Sequence, residues 1–125
     1  MHEFSTAQAI IETVLRAASE SGATKVLRVS LEVGELTMLN LEQLRFSLKM
    51  LSKGTIAEGA RFLIRRVKPE VKCLACGYAG RAKPLDSALH VPLAPVTSCP
   101  RCGSFEVEII RGAECLVKSI RAVRG

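Results

Sequence analysis

Cys73-Leu74-Ala75-Cys76-Gly77 and Cys99-Pro100-Arg101-Cys102-Gly103 form two C-x-x-C-G units with 22 residues between them. Each unit can offer two thiolates from one tight turn, and its glycine supplies the backbone freedom that such a turn needs. Two turns facing each other complete a tetrahedral sulfur shell. Thiolates are soft donors that select Zn²⁺ or iron–sulfur chemistry, and a closed four-sulfur site leaves no position for a reacting water. The spacing therefore predicts a structural zinc site on Cys73, Cys76, Cys99 and Cys102, although the interval exceeds the usual ~15 to 20 residues for this pattern. Unligated or redox-active cysteines are the plainer alternative. Cys115 stands apart and reads as a small apolar residue packed inside, with no assigned chemistry.

The second place with coordination chemistry is Met1-His2-Glu3. A free α-amine, the deprotonatable amide of His2 and the His2 imidazole can close fused chelate rings on one metal, and Glu3 can add an amide nitrogen or a carboxylate. Nitrogen-rich, square-planar sites suit Ni²⁺ or Cu²⁺. On its own, a histidine near a chain start is usually no more than an exposed histidine. His90, the other histidine, is flanked by Leu89 and Val91, and reads either as a structural residue or as a further metal contact.

These residues need elements to position them. The chain has 125 residues, 48% hydrophobic and 24% charged, enough for one core and a small metal-held appendage. No run reaches the roughly 18 apolar residues of a membrane span, and the first residues lack a signal-peptide pattern. With an odd count of five cysteines, four of them in C-x-x-C pairs, the expectation is a soluble cytoplasmic protein with metal rather than disulfides. The formal charge of +6 raises the question of nucleic acid, but four thiolates around one Zn²⁺ would lower it by two, and the basic residues are scattered.

From Phe4 to about Ser21, Ala7, Ile10, Ile11, Val14, Leu15 and Ala18 recur at helical spacing, with Ser5 and Gln8 as a capping box and Gly22 as the stop. Lys25 to Val33 alternates, putting Leu27, Val29, Leu31 and Val33 on one face of a half-buried strand. A loop through Met38 leads to Asn40, which with Gln43 caps a second helix carrying Leu41, Leu44, Leu48 and Leu51 and ending near Gly54. Ala60 to Val67 and about Glu114 to Ala122 read as two more strands. The expected fold class is α+β: a two-layer sandwich of a three-stranded sheet and two helices, formed by residues 1–70 plus 111–125, with a zinc-ribbon-like domain inserted at 71–110. A segment of ~40 residues with so few large apolar side chains needs a metal or disulfides to fold.

The order and combination of several pieces resemble one family. Met1-His2-Glu3, Val33-Gly34-Glu35-Leu36, Gly54-Thr55 with Ala57-Glu58-Gly59-Ala60, the paired knuckles, and Gly112 to Ile120 with Val117-Lys118-Ser119-Ile120 are similar to the HypA/HybF family of hydrogenase nickel-incorporation proteins. The likeness runs from Met1 to about Ala122. It implies an accessory protein that is not itself an enzyme, a nickel metallochaperone delivering Ni²⁺ to the large-subunit precursor of a nickel–iron hydrogenase with a HypB-type GTPase as partner. It carries over His2 as the essential nickel ligand, with the Met1 amine and Glu3 beside it, and the four knuckle cysteines as the zinc shell. The long interval between knuckles brings His90 in as a further nickel donor to be tested. Asn40 stands where some relatives have an acidic residue; its helix-capping role is the simpler reading here. The resemblance leaves monomer or homodimer open.

The alternative from another class is a nucleic-acid-binding zinc ribbon, suggested by the knuckles and the positive charge. Such modules offer aromatic stacking platforms, and the metal segment holds only Tyr78 and Phe105. A zinc enzyme needs an open coordination position, which a four-cysteine shell lacks. The expectation is therefore no nucleic acid, no membrane and no catalysis.

Overall fold

The structure is a computed structural model that describes residues 2–82 and 98–124. The chain separates into two compact units, residues 1–33, 39–66 and 115–125 in one and residues 34–38 and 67–114 in the other. Among the described residues the architecture is α+β, with two α-helices and two three-stranded sheets.

The first unit begins with helix α1, Glu3–Glu20, which buries Ala7, Ile10, Ile11, Val14 and Ala18. The expected capping box at Ser5 does not form. The helix starts earlier, with His2 as its N-cap, and the Ser5 hydroxyl donates to the His2 carbonyl at 3.2 Å. Glu3 in the first turn favours this longer helix by placing negative charge at the positive end of the dipole. The stop is as expected: Ala23 N–H donates to Ala18 O at 2.9 Å and Gly22 N–H to Ser19 O at 3.1 Å, a Schellman ending.

Strands β1, Lys25–Gly34, β2, Arg61–Val67, and β6, Cys115–Val123, make a sheet of order β2-β1-β6, in which β1 and β6 run antiparallel. The inward face of β1 differs from simple alternation. Val26, Val29, Leu31 and Val33 are buried, whereas Leu27 is 39% exposed. The register explains this: Val26 pairs with Ala122 and Arg28 with Arg121, so Leu27 is the extra residue of a bulge and the inward phase shifts by one. A second irregularity pairs Ser30 with Ser119 and Leu31 with Val117. It leaves Lys118 over, so that both Val117 and Ile120 pack on the core.

Helix α2, Leu41–Ser52, is capped as expected, the Asn40 side chain accepting from Gln43 N–H at 3.1 Å. Leu44 and Leu48 are fully buried, with Leu41 and Leu51 beside them. Phe62 of β2 and Ala57 before it complete one core with α1. The Arg45 guanidinium donates to the Phe62 carbonyl at 2.6 Å, tying α2 to β2.

The second unit contains a short antiparallel sheet made by β3, Glu70–Cys73, β4, Ala79–Arg81, and β5, Val107–Arg111, in the order β4-β3-β5. It also takes in Gly34–Met38, where a 3-10 turn over Glu35–Thr37 stands in place of the expected loop. Gly34 N–H donates to Glu114 O at 2.8 Å and Leu36 N–H to Gly112 O at 2.9 Å. Backbones approach so closely here that a Cβ on Gly34 would run into the Gly112 carbonyl, and one on Gly112 would lie 2.6 Å from Pro69 Cα. Among the described residues of this unit Leu36, Val71, Cys73 and Cys99 are the buried apolar ones, while Phe105 and Ile110 are exposed.

Gly34 has an ordinary φ of −68°, so any cost of a side chain there is steric. Gly54, at φ 77° with nothing within 4 Å of where a Cβ would sit, isolates the conformational cost instead. Gly34→Ala is expected to lower unfolding free energy by roughly 1–3 kcal/mol through overpacking, against about 1 kcal/mol for Gly54→Ala, as read by denaturant titration. Equal losses would contradict the close-packing account.

Candidate metal centres

The two C-x-x-C-G units fold as matching turns. Gly77 N–H donates to Cys73 O at 3.1 Å and Gly103 N–H to Cys99 O at 2.8 Å, with the glycines at φ 80° and 78°. Each chain then returns to its first cysteine: Cys73 N–H donates to Tyr78 O at 2.7 Å and Cys99 N–H to Ser104 O at 2.9 Å. Backbone donors also turn inward on the leading sulfurs. Cys76 N–H points at Cys73 Sγ, and both Arg101 and Cys102 N–H point at Cys99 Sγ, all at 3.4 Å.

All four Sγ atoms lie within 4.8 Å of one another, with Cys73–Cys102 and Cys76–Cys99 at 3.6 Å. A disulfide needs sulfurs at about 2.0 Å, so these are four free cysteines. A tetrahedral thiolate shell around a metal at about 2.3 Å has edges of ~3.8 Å, close to the two 3.6 Å separations. Cys73 and Cys99 are buried and Cys76 and Cys102 exposed, so each turn contributes one buried and one exposed cysteine.

The acidity of these thiols points the same way. The Cys76 N–H, acting against burial and helped by Ala75 N–H and the thiols of Cys102 and Cys76, holds Cys73 below the ordinary thiol range. Burial raises Cys99, but the N–H groups of Cys102 and Arg101, then the thiols of Cys76 and Cys102, outweigh it and bring it down to about 6. The Ser104 N–H pulls Cys102 down, yet burial and the other three sulfurs push it up to about 12. The cluster therefore gives up its first proton readily and resists losing its last. A divalent cation at the centre removes that resistance, because it replaces mutual repulsion by attraction to four thiolates.

His2 lies at the head of α1, exposed, with φ −96° and ψ 139°. Its carbonyl accepts from Thr6 N–H at 3.0 Å, the first bond of the helix, while its side chain does no capping. The amide N–H groups of His2 and Glu3 precede that bond and are not consumed by the helix. His2, Glu3 and Phe4 border a shallow depression of about 370 Å³ whose other wall is Gln43, Phe46 and Ser47 of α2. Met1 and His90 lie outside the described residues. The α2 wall could not be read from periodicity alone: Gln43 signalled only a cap, and the 43, 46, 47 spacing marks one helix face without saying what it meets.

Cys115 is half-buried against the core, and burial raises its thiol above the ordinary range, as suits a packing residue. Among the described residues no helix is long and apolar enough to cross a membrane.

A small α+β protein with a four-cysteine centre able to hold a metal is the class that this fold and geometry define. Residues 1–122 match the family model described as hydrogenase/urease nickel incorporation, metallochaperone, HypA, and the chain belongs to that family. It is 48% identical over 121 residues to the hydrogenase maturation factor HypA of Methanothermobacter thermautotrophicus, covering 97% of this chain and 96% of that one. It is 43% identical over 133 residues to the factor of the same description from Methanopyrus kandleri, covering 97% and 92%. The solution structure of the Ni metallochaperone HypA from Helicobacter pylori shares the fold, with a TM-score of 0.72 at 21% identity and full coverage of both chains.

Replacing Cys73 or Cys99 by serine removes the sulfur of one of the two buried cysteines of the cluster. Bound metal is expected to fall well below one per chain, with loss of the fold in residues 67–114, because metal binding in such small sites contributes on the order of 10 kcal/mol. Both helices belong to the other unit, so the helical circular-dichroism signal should persist. A serine variant that keeps native amide dispersion throughout residues 67–114 would contradict this.

Proposed function

We propose that the chain is a nickel metallochaperone that binds Ni²⁺ through Met1, His2 and Glu3 and delivers it to the large-subunit precursor of a nickel–iron hydrogenase. A HypB-type GTPase is the proposed partner in that transfer, in the cytoplasm. Zn²⁺ on Cys73, Cys76, Cys99 and Cys102 is the proposed structural ion, and the labour divides between residues 1–70 with 111–125 for nickel and residues 71–110 for zinc. The observation that carries this reading is the free, exposed His2 at the head of α1, with Glu3 beside it and neither amide used by the helix.

The chemistry suits a carrier. Amine, amide and imidazole nitrogens favour square-planar Ni²⁺, and an exposed site lets a competing ligand take the ion stepwise. Full burial would hinder that exchange. The sulfur shell does the opposite: a closed tetrahedral set keeps its ion and leaves no open position for catalysis. His90 is retained as a further nickel donor to be tested by His90→Ala, with a change in the nickel absorption spectrum as the supporting result.

His2→Ala, and separately a residue added ahead of Met1, are each expected to weaken nickel binding at least tenfold in titration calorimetry while zinc content stays at one per chain. The added residue moves the amine and breaks the fused chelate. Native nickel affinity in both proteins would overturn the assignment. In pull-down, the chain is also expected to retain a HypB-type GTPase, and failure to bind either that GTPase or the hydrogenase precursor would remove the delivery half of the proposal.

A further inference from the structure

The depression beside His2 has two walls, and only one of them belongs to the chain start. Gln43, Phe46 and Ser47 lie at helical spacing on α2, so one face of that helix lines the same space as His2, Glu3 and Phe4. The α2 backbone is anchored here: the Asn40 side chain takes Gln43 N–H, and the adjoining Leu44 and Leu48 are fully buried. Gln43 is exposed and Ser47 half-buried. Among the described residues, neither the Gln43 side-chain amide nor the Ser47 hydroxyl is engaged in a hydrogen bond. Two polar side chains of α2 thus line the same depression as the residues proposed to hold nickel, together with the 65% exposed Phe46.

We propose that Gln43 and Ser47 are positioning residues for the bound nickel. The Gln43 amide accepts the proton of the His2 ring nitrogen that is not on the metal, the Ser47 hydroxyl donates to the Glu3 carboxylate, and Phe46 shelters the chelate from water. This rests on the nickel site proposed above. A ligating imidazole is oriented and made more basic by a hydrogen bond to its second nitrogen. A site built from the first residues of a chain has the greatest need of such support, since nothing in its own backbone fixes the ring. A neutral amide and a hydroxyl orient the ligands without adding charge, so the ion is held in place and can still be handed on.

The test compares Gln43→Met, which keeps length and removes the hydrogen bond, with Ser47→Ala, Gln43→Asn and His2→Ala, all in the full chain carrying its zinc. Nickel sulfate is titrated by calorimetry and by visible absorption. Gln43→Met and Ser47→Ala are expected to weaken nickel about 10- to 100-fold and to shift the ligand-field band, with zinc content and thermal unfolding unchanged, while Gln43→Asn recovers part of the affinity. Native affinity and native spectrum in both Gln43→Met and Ser47→Ala, with binding lost in His2→Ala, would overturn the positioning role and leave the nickel site standing. Native binding in His2→Ala as well would overturn both.

Discussion

Four cysteine sulfurs within 4.8 Å of one another are an electrostatic problem that the polypeptide alone does not solve. Backbone N–H groups bring Cys99 down to about 6, but the same crowding pushes Cys102 to about 12. A cation at the centre would let all four act as thiolates together. Among the described residues of the second unit few apolar side chains are buried, and Phe105, Ile109 and Ile110 face water. The two knuckles, the sheet β4-β3-β5 and the glycine contacts at Gly34 and Gly112 give the unit its shape, and the sulfur centre supplies what its core lacks.

The first unit depends on a different balance. Val14, Val26, Val29, Leu31, Leu44 and Leu48 are essentially free of solvent, and they come from both helices and the central strand. That core needs no metal. It carries helix α1 up to its N-cap His2 and leaves the His2 side chain exposed, which suits the exchangeable ion proposed there. The proposed structural and cargo sites then differ in kind: one is a four-sulfur cluster, the other lies at the exposed head of a helix.

The helices, the three long strands and the cysteine knuckles were legible in the sequence, because each is written in local spacing. The i, i+4 pairs Ile10 with Val14 and Leu44 with Leu48, together with C-x-x-C-G, need no tertiary information. What escaped depended on pairing. Leu27 turned outward because a bulge against β6 shifted the phase, and Ser5 lost its capping role because the helix began at Glu3. Gly34–Met38 joined the cysteine unit through backbone contacts with Gly112 and Glu114 that lie far away in sequence. The α2 wall of the His2 depression was hidden for the same reason, since a helix face does not announce its neighbour.

A metal ion on the four cysteines is proposed to hold the second unit together and not the first. Amide hydrogen exchange, followed by mass spectrometry on the full chain before and after removal of metal with a strong chelator, tests it most directly. The account predicts that residues 67–82 and 98–114 lose protection on metal removal, while α1, α2 and β1 keep theirs. Unchanged protection around Val71 and Cys99 in the metal-free chain would contradict it.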